Sequence, residues 1–252
     1  MLGWSRVISF IVPAYNEELE LPATLLAIQA AAAETGESYE LIVVDDASTD
    51  RTVALARAAG ADVVSINRRH IAASRNAGAQ QARGQILFFV DADTRIKATH
   101  VRDGIAALQA GYSGGSARII TDGDIPWWGS LTLKVFSTLY FANNLGAGAF
   151  LFTTRHNFDA IGGFDEQYFA SEEVFLSLAL KKIGRFKILR EPMVTSGRKL
   201  RMHSGRSLWW QSTRLMLGGV KSCQSRDRLD LWYDGKREQP ELDSGAKTEI
   251  SG

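Results

Sequence analysis

The chain has 252 residues, enough for one large domain or two small ones. Apolar residues make up 45% and charged residues 23%, as in an ordinary globular protein, and 29 Lys plus Arg against 28 Asp plus Glu leave a net charge of +1. That balance argues against a nucleic-acid binder, which carries a strong basic excess, and the lone Cys223 excludes an internal disulfide framework, consistent with a reducing compartment.

The opening "MLGWSRVISFIVPAYNEE" does not read as a signal peptide, because its apolar run is short and leads into a polar turn. Short β-branched or aromatic runs follow at 6–12, 39–45, 61–66 and 85–91, of the kind that form parallel strands covered on both faces. Helical segments separate them. "EELELPATLLAIQAAAAETG" puts Leu21, Leu25 and Ile28 on one face and stops near Gly36, "STDRTVALARAAG" closes at Gly60, and "IAASRNAGAQQARG" closes at Gly84. The alternation predicts an α/β fold with an open, mostly parallel twisted sheet flanked by helices. Further along, the pattern predicts a helix at 97–110, a strand at 115–120 and a helix at about 129–144. "GAFLFTT" reads as a strand, "SEEVFLSLALKKIG" as a helix, and "FKILREPMVTS" as one or two strands. A basic loop, "GRKLRMHSGRS", precedes a Trp-bearing helix. The stretch from Leu131 to Phe152 is apolar-leaning, but Lys134, Asn143 and Asn144 interrupt it, which argues against a membrane-spanning helix. The expected layout is one domain over 1–235, with a Rossmann-like nucleotide-binding half at 1–96, an acceptor half at 97–235 and a disordered polar tail at 236–252.

In open α/β sheets ligands bind beyond the carboxyl ends of the strands. Four such ends are polar here: Pro13-Ala14-Tyr15-Asn16-Glu17, Asp45-Asp46-Ala47-Ser48, Asn67-Arg68-Arg69 and Asp91-Ala92-Asp93. Asp91 and Asp93 end a strand of large apolar residues. Alone they would read as a solvated turn. Beside three other polar strand ends they read as a cation site, since residues i and i+2 of an extended segment point the same way and hard cations such as Mg²⁺ and Mn²⁺ take carboxylate oxygens. No P-loop and no Gly-x-Gly-x-x-Gly follows the first strand. A diphosphate would then be neutralised by a metal and by basic side chains, which suggests a nucleotide-sugar donor.

The motifs "SFIVPAYNEE", "LIVVDDASTD", "AASRNAGAQQARGQILFFVDADT", "GAFLFTTRHNFDAIGGFDE" and "SEEVFLSLALKKIG" occur in the order found in family 2 glycosyltransferases, which the sequence resembles over roughly 6–190. The resemblance implies the GT-A fold and an inverting transfer from a UDP- or GDP-linked sugar to an acceptor hydroxyl. It implies that Pro13, Ala14, Tyr15 and Glu17 line the base pocket, with Tyr15 as a stacking wall. Asp46 or Asp45 would accept a hydrogen bond from the base, and Arg75 would reach the base or the phosphates. Across Asp91-Ala92-Asp93, Asp91 would sit by the ribose and Asp93 would ligate the metal, with Asp91 as a further ligand. The base would be Glu173 or, alternatively, Glu172, where the family usually has Glu-Asp; the added methylene changes its reach. The bland reading is that both glutamates favour a helix N-terminus capped by Ser171. Gly148 and Ala149 would lie beneath the transferred sugar, and Gly162-Gly163 would form a turn. In the basic loop Arg198 and Arg201 would hold the diphosphate, and His203 would be a further metal ligand.

Two rivals remain: a sugar nucleotidyltransferase, disfavoured by Pro-Ala-Tyr-Asn-Glu where a Gly- and Arg-rich loop is expected, and an inactive donor-binding or membrane-docking relic. "PWWGSLTLKVFSTLYF" and "SLWWQSTRLMLGG" leave core packing, a lipid-linked acceptor with peripheral membrane contact, and saccharide stacking as alternatives for the acceptor side. The expected location is the cytoplasm.

Overall fold

The computed structural model describes residues 7–121, 145–195 and 223–224. Eight strands form one mixed sheet. The first four are β1 (Val7–Ala14), β2 (Ser38–Asp46), β3 (Asp62–Ile66) and β4 (Ile86–Val90), all parallel and ordered β3-β2-β1-β4. Their crossovers are helices α1 (Leu21–Thr35), α2 (Thr52–Ala58) and α3 (Ile71–Gln81). β5 (Thr94–Arg95) and α4 (Ala98–Gln109) lead to β6 (Tyr112–Thr121); β7 (Phe150–Thr154), α5 (Arg155–Ala160), α6 (Glu172–Ile183) and β8 (Arg185–Thr195) complete the described fold. β7 runs antiparallel to both β4 and β6, β8 is parallel to β6, and β5 is antiparallel to β8, so the sheet changes direction beside β4.

Strand β4 shows why this sheet is rigid where it matters. All five of its side chains are buried, and period-2 alternation sends them to two separate cores. On one face Phe88 stacks on Phe10 at 5.3 Å and meets Phe150 and Phe152 at 5.7 and 5.9 Å, among Leu21, Leu25 and Ile28 of α1. On the other, Phe89 meets Phe158 and Phe164 at 5.3 and 5.0 Å, against Leu176 and Leu180 of α6. Each fully buried aromatic side chain contributes roughly 1.5–3 kcal/mol.

Most expected elements form, with instructive differences. Gly36 ends α1 in the left-handed region at φ 69, as its position predicts. Gly84 does not end α3. The helix stops at Gln81, and Gly84 is small because a Cβ there would lie 2.4 Å from Ser9 Oγ and 2.6 Å from the Val7 carbonyl oxygen. The strand expected at 115–120 begins earlier, at Tyr112, and Arg185–Thr195 is one strand. β5 escapes the sequence reading because two residues carry no periodicity; only pairing with Val194 and Thr195 makes it a strand. The helix at about 129–144, the basic loop with the following helix, and the polar tail lie outside the described residues. Among the described residues no helix is long and apolar enough to cross a membrane.

Candidate active site

A pocket of about 330 Å³ opens beyond the carboxyl ends of β1, β2 and β4, with the start of α6 closing one side. Pro13, Ala14, Tyr15 and Glu17 line it, as do Asp46, Arg75, Asp91, Ala92, Asp93, Gly148, Ala149, Glu172 and Glu173. Residues expected from six separate segments therefore share one cavity.

The two aspartates that end β2 separate. Asp46 faces the pocket, and its Oδ1 accepts the Arg68 and Arg69 N–H groups at 2.7 Å each. Its Oδ2 accepts the His70 N–H at 2.7 Å and the Ser74 hydroxyl at 3.2 Å. Three backbone amides in succession make Asp46 the anchor of the turn that starts α3. Asp45 does not line the pocket; its Oδ1 accepts the Ser48 N–H at 3.2 Å.

Asp91-Ala92-Asp93 is a turn, and the expectation of an extended segment is corrected. The Thr94 N–H closes onto the Asp91 carbonyl at 3.0 Å, while the Asp91 N–H reaches Ala149 at 3.1 Å. Both carboxylates still line the pocket. Asp93 accepts the Thr195 hydroxyl at 3.2 Å, so the short β5–β8 pairing positions this side chain. The hydroxyl of Thr24 fixes the Ala92 carbonyl at 2.7 Å from the other side.

Arg75 ties these pieces together. Its side chain is 1% exposed, Nη1 donates to Glu172 Oε1 at 2.5 Å, and Nη2 donates to Asp91 Oδ1 at 2.8 Å and to the Gly148 carbonyl at 2.9 Å. Its Nε is buried without a partner. Burial opposes its charge, but Asp91 and Glu172, with Glu173 beyond, more than offset that and hold the guanidinium well above its usual pKa. Arg75 was expected at the base or the phosphates; here both of its terminal nitrogens are committed to protein oxygens beneath the pocket.

The start of α6 supplies two carboxylates with opposite settings. Ser171 precedes it in the left-handed region at φ 62 and makes no side-chain cap, so the capping reading does not hold. Glu172 is buried and bonded to Arg75. Glu173 lines the pocket half-buried, and its own backbone N–H reaches its carboxylate. Burial, then the charge of Glu172, push its pKa up to about 8, with Asp91 adding to the rise while Arg75 opposes it. Gly148 borders this group; a Cβ there would come within 3.3 Å of Arg75 Nη2 and 3.6 Å of Glu173 Cδ. Gly162 and Gly163 form the expected turn, at φ 80 and 75.

Several pocket residues escape the sequence reading, Arg69 and His70 among them. Arg69 lies over the Tyr15 ring, its Cζ 3.2 Å from the centroid. His70 is the N-cap of α3: its Nδ1 accepts the Ala73 N–H at 3.4 Å, which leaves Nε2 to donate to the Glu166 carbonyl at 3.0 Å, and its ring packs on Phe169 at 4.4 Å. The available signal was their place after β3, a strand end of the same edge. Among the described residues no three His, Cys, Asp or Glu side chains cluster as a metal cage. Two carboxylates on a pocket wall still fit a hard cation that completes its shell with diphosphate oxygens and water. Arg198, Arg201 and His203 lie outside the described residues.

A family model described as "Glycosyl transferase family 2" matches residues 9–165. Among curated proteins, undecaprenyl-phosphate 4-deoxy-4-formamido-L-arabinose transferase of Pseudomonas aeruginosa is 39% identical over 94 residues, 34% of this chain and 28% of the relative. The Shewanella sediminis protein of the same name is 34% identical over 112 residues, 42% of this chain and 34% of the relative, so the matches span about a third of these relatives. Among solved structures, the mannosyltransferase PcManGT of Pyrobaculum calidifontis, in complex with GDP-Man and Mn²⁺, superposes with a TM-score of 0.63 at 18% identity, covering 90% of this chain and 68% of that one. Glucosyl-3-phosphoglycerate synthase of Mycobacterium tuberculosis, in complex with Mn²⁺, UDP and phosphoglyceric acid, gives 0.62 at 20% identity, covering 86% and 78%. The architecture is thus the GT-A glycosyltransferase fold.

Proposed function

The chain belongs to glycosyl transferase family 2, and from that premise we propose that it moves a sugar from a nucleoside-diphosphate donor to an acceptor hydroxyl with inversion. The observation that carries the proposal is the single pocket shared by the Asp91-Ala92-Asp93 turn and Glu173. The turn offers carboxylates to a cation, and the start of α6 offers to the same pocket a carboxylate whose pKa, about 8, suits proton abstraction near neutral pH.

In this reading the donor lies along the strand ends, its sugar over Gly148 and Ala149. Asp93, with Asp91, would hold a divalent cation, Mg²⁺ or Mn²⁺, which when bound supplies Lewis-acid stabilisation of the departing diphosphate. Mn²⁺ accompanies the nucleotide in both superposed structures, which supports that choice. Glu173 takes the acceptor proton as the acceptor oxygen attacks the anomeric carbon from the face opposite the leaving group. Arg75 keeps Glu172 and Asp91 in place. The remaining gain comes from holding the two substrates in line.

The acceptor has a second reading. The named relatives act on undecaprenyl phosphate. A lipid phosphate is already an anion and needs no base, and reaching it would call for peripheral contact with a membrane. Incubating the protein with UDP- and GDP-sugars, Mg²⁺ or Mn²⁺, and either saccharide or polyprenyl-phosphate acceptors, while measuring nucleoside diphosphate release, separates the two. Release that depends on the metal and on a saccharide supports the hydroxyl reading; dependence on the lipid phosphate supports the second. Donor binding without turnover on any acceptor would favour the inactive relic, and diphosphate release from a nucleoside triphosphate and a sugar phosphate would favour a nucleotidyltransferase.

A further inference from the structure

One residue of α1 is out of keeping with its surroundings. Thr24 is the sole polar side chain among the buried residues of that helix, set between Leu21, Leu25 and Ile28. A threonine inside a helix commonly bonds the carbonyl four residues back in the same helix. The Thr24 hydroxyl instead leaves α1 and donates to the Ala92 carbonyl at 2.7 Å. The same oxygen accepts Arg95 Nη1, and Arg95 Nη2 reaches Glu20 Oε2 at 2.5 Å, at the N-cap of the same helix. Satisfying a buried carbonyl needs only one donor. Here that donor is itself aimed by an arginine, which a carboxylate aims in turn. The two residues of β5 serve the turn from two directions. Arg95 goes to Thr24, behind Ala92; Thr94, fully buried, donates to the Thr195 hydroxyl at 3.2 Å, which donates to Asp93 at 3.2 Å.

We propose that Thr24 and Arg95 are positioning residues for the Asp91-Ala92-Asp93 turn, setting its affinity for a divalent cation through the Ala92 carbonyl; this rests on the cation reading above. Ala92 lies between the two pocket carboxylates. Its carbonyl shares a rigid plane with the Asp93 N–H, so holding that oxygen fixes the orientation from which the Asp93 side chain departs. The turn is then held at every residue: Asp91 by Arg75 and the Ala149 carbonyl, Ala92 by Thr24, and Asp93 by Thr195. A hard cation tolerates little displacement of its oxygen ligands, Mg²⁺ least of all. Two aspartates on a turn free to rock would lose that geometry, whereas a turn braced from α1 and β8 presents them together. Groups that orient metal ligands without touching the metal carry about a tenfold or larger share of its affinity. The brace also accounts for β5, where two paired residues suffice because each has one support to supply.

The test is titration of the whole chain with Mn²⁺, free Mn²⁺ being read by electron paramagnetic resonance, in the presence of UDP or GDP, whichever the parent binds better. Thr24→Val keeps the shape of the side chain and removes the hydroxyl. It should weaken Mn²⁺ binding about tenfold and leave metal-free nucleotide binding unchanged. Thr24→Ser, which restores the hydroxyl, should recover most of that loss. Arg95→Met should show a smaller loss in the same direction. A hydroxyl that only satisfies a buried carbonyl would lower the melting temperature of Thr24→Val and leave its Mn²⁺ affinity at the parent's value, and that result overturns the proposal. So does a serine variant no better than valine, which would assign the effect to the methyl group. Should Thr24→Val fail to fold, Arg95→Met decides the matter, since that side chain is 31% exposed, and parental Mn²⁺ affinity there overturns the proposal. Those results leave the cation reading standing. A parent protein that binds no Mn²⁺ with either nucleotide would instead overturn the cation reading, and this inference with it.

Discussion

Asp46 at the end of β2 and Glu173 at the start of α6 line the same pocket and carry the same functional group, yet the fold treats them differently. Asp46 is surrounded by donors: three backbone amides and a hydroxyl. Burial first, and then charge of its own sign on Glu172 and Asp91, push the pKa of Glu173 up to about 8, with Arg75 as the counterweight. A carboxylate saturated with N–H bonds is a structural anchor; one that is desolvated among like charges is ready to take a proton. What separates them is the partners each backbone brings within reach.

Removing Arg75 should break this comparison with the largest effect, because that cation keeps the acidic side of the pocket tolerable. Arg75→Met leaves Glu172 buried and unpaired, at a cost of about 3–5 kcal/mol in urea unfolding. The Arg75→Met/Glu172→Gln double variant should unfold with less than the sum of the single losses, because the second change removes the stranded charge. Strict additivity would mean the clasp is not the stabilising unit.

A smaller effect is expected at the other pole. Asp46→Asn turns one acceptor oxygen into a donor facing amide N–H groups and should cost roughly 1–3 kcal/mol by the same measurement. Amide protons of residues 68–70 should then exchange faster with solvent. Unaltered exchange there would deny Asp46 its anchoring role.

The contrast also marks what can be seen in a sequence. That polar groups end four strands follows from chain order, whereas the pairing of Glu173 with Asp91 and Asp93 is implied only by the family resemblance. Strand β4 could be recognised because its side chains are apolar on both faces. Partnership could not be recognised. Asp46 and Asp45 are adjacent and chemically identical, and only the turn at 68–70 assigns one to the pocket and the other to Ser48. Arg75 meets Asp91 and Glu172 across 16 and 97 residues, pairings that no local pattern encodes. Arg69 is visible only as part of a polar strand end; its left-handed backbone and its seat on Tyr15 are seen only in the fold.

The central claim is that Glu173 is the base, and the pH dependence of kcat/KM, which reports the free enzyme, tests it most directly. Glu173 acts as a base only when ionised, so transfer to a hydroxyl acceptor should rise with pH through an apparent pKa near 8 and level off above it. Glu173→Gln should lower transfer by roughly a hundredfold or more and abolish that rise, while donor affinity stays within about threefold of the parent. A Glu173→Gln variant that transfers sugar at the parental rate, with the same pH profile, would contradict the account.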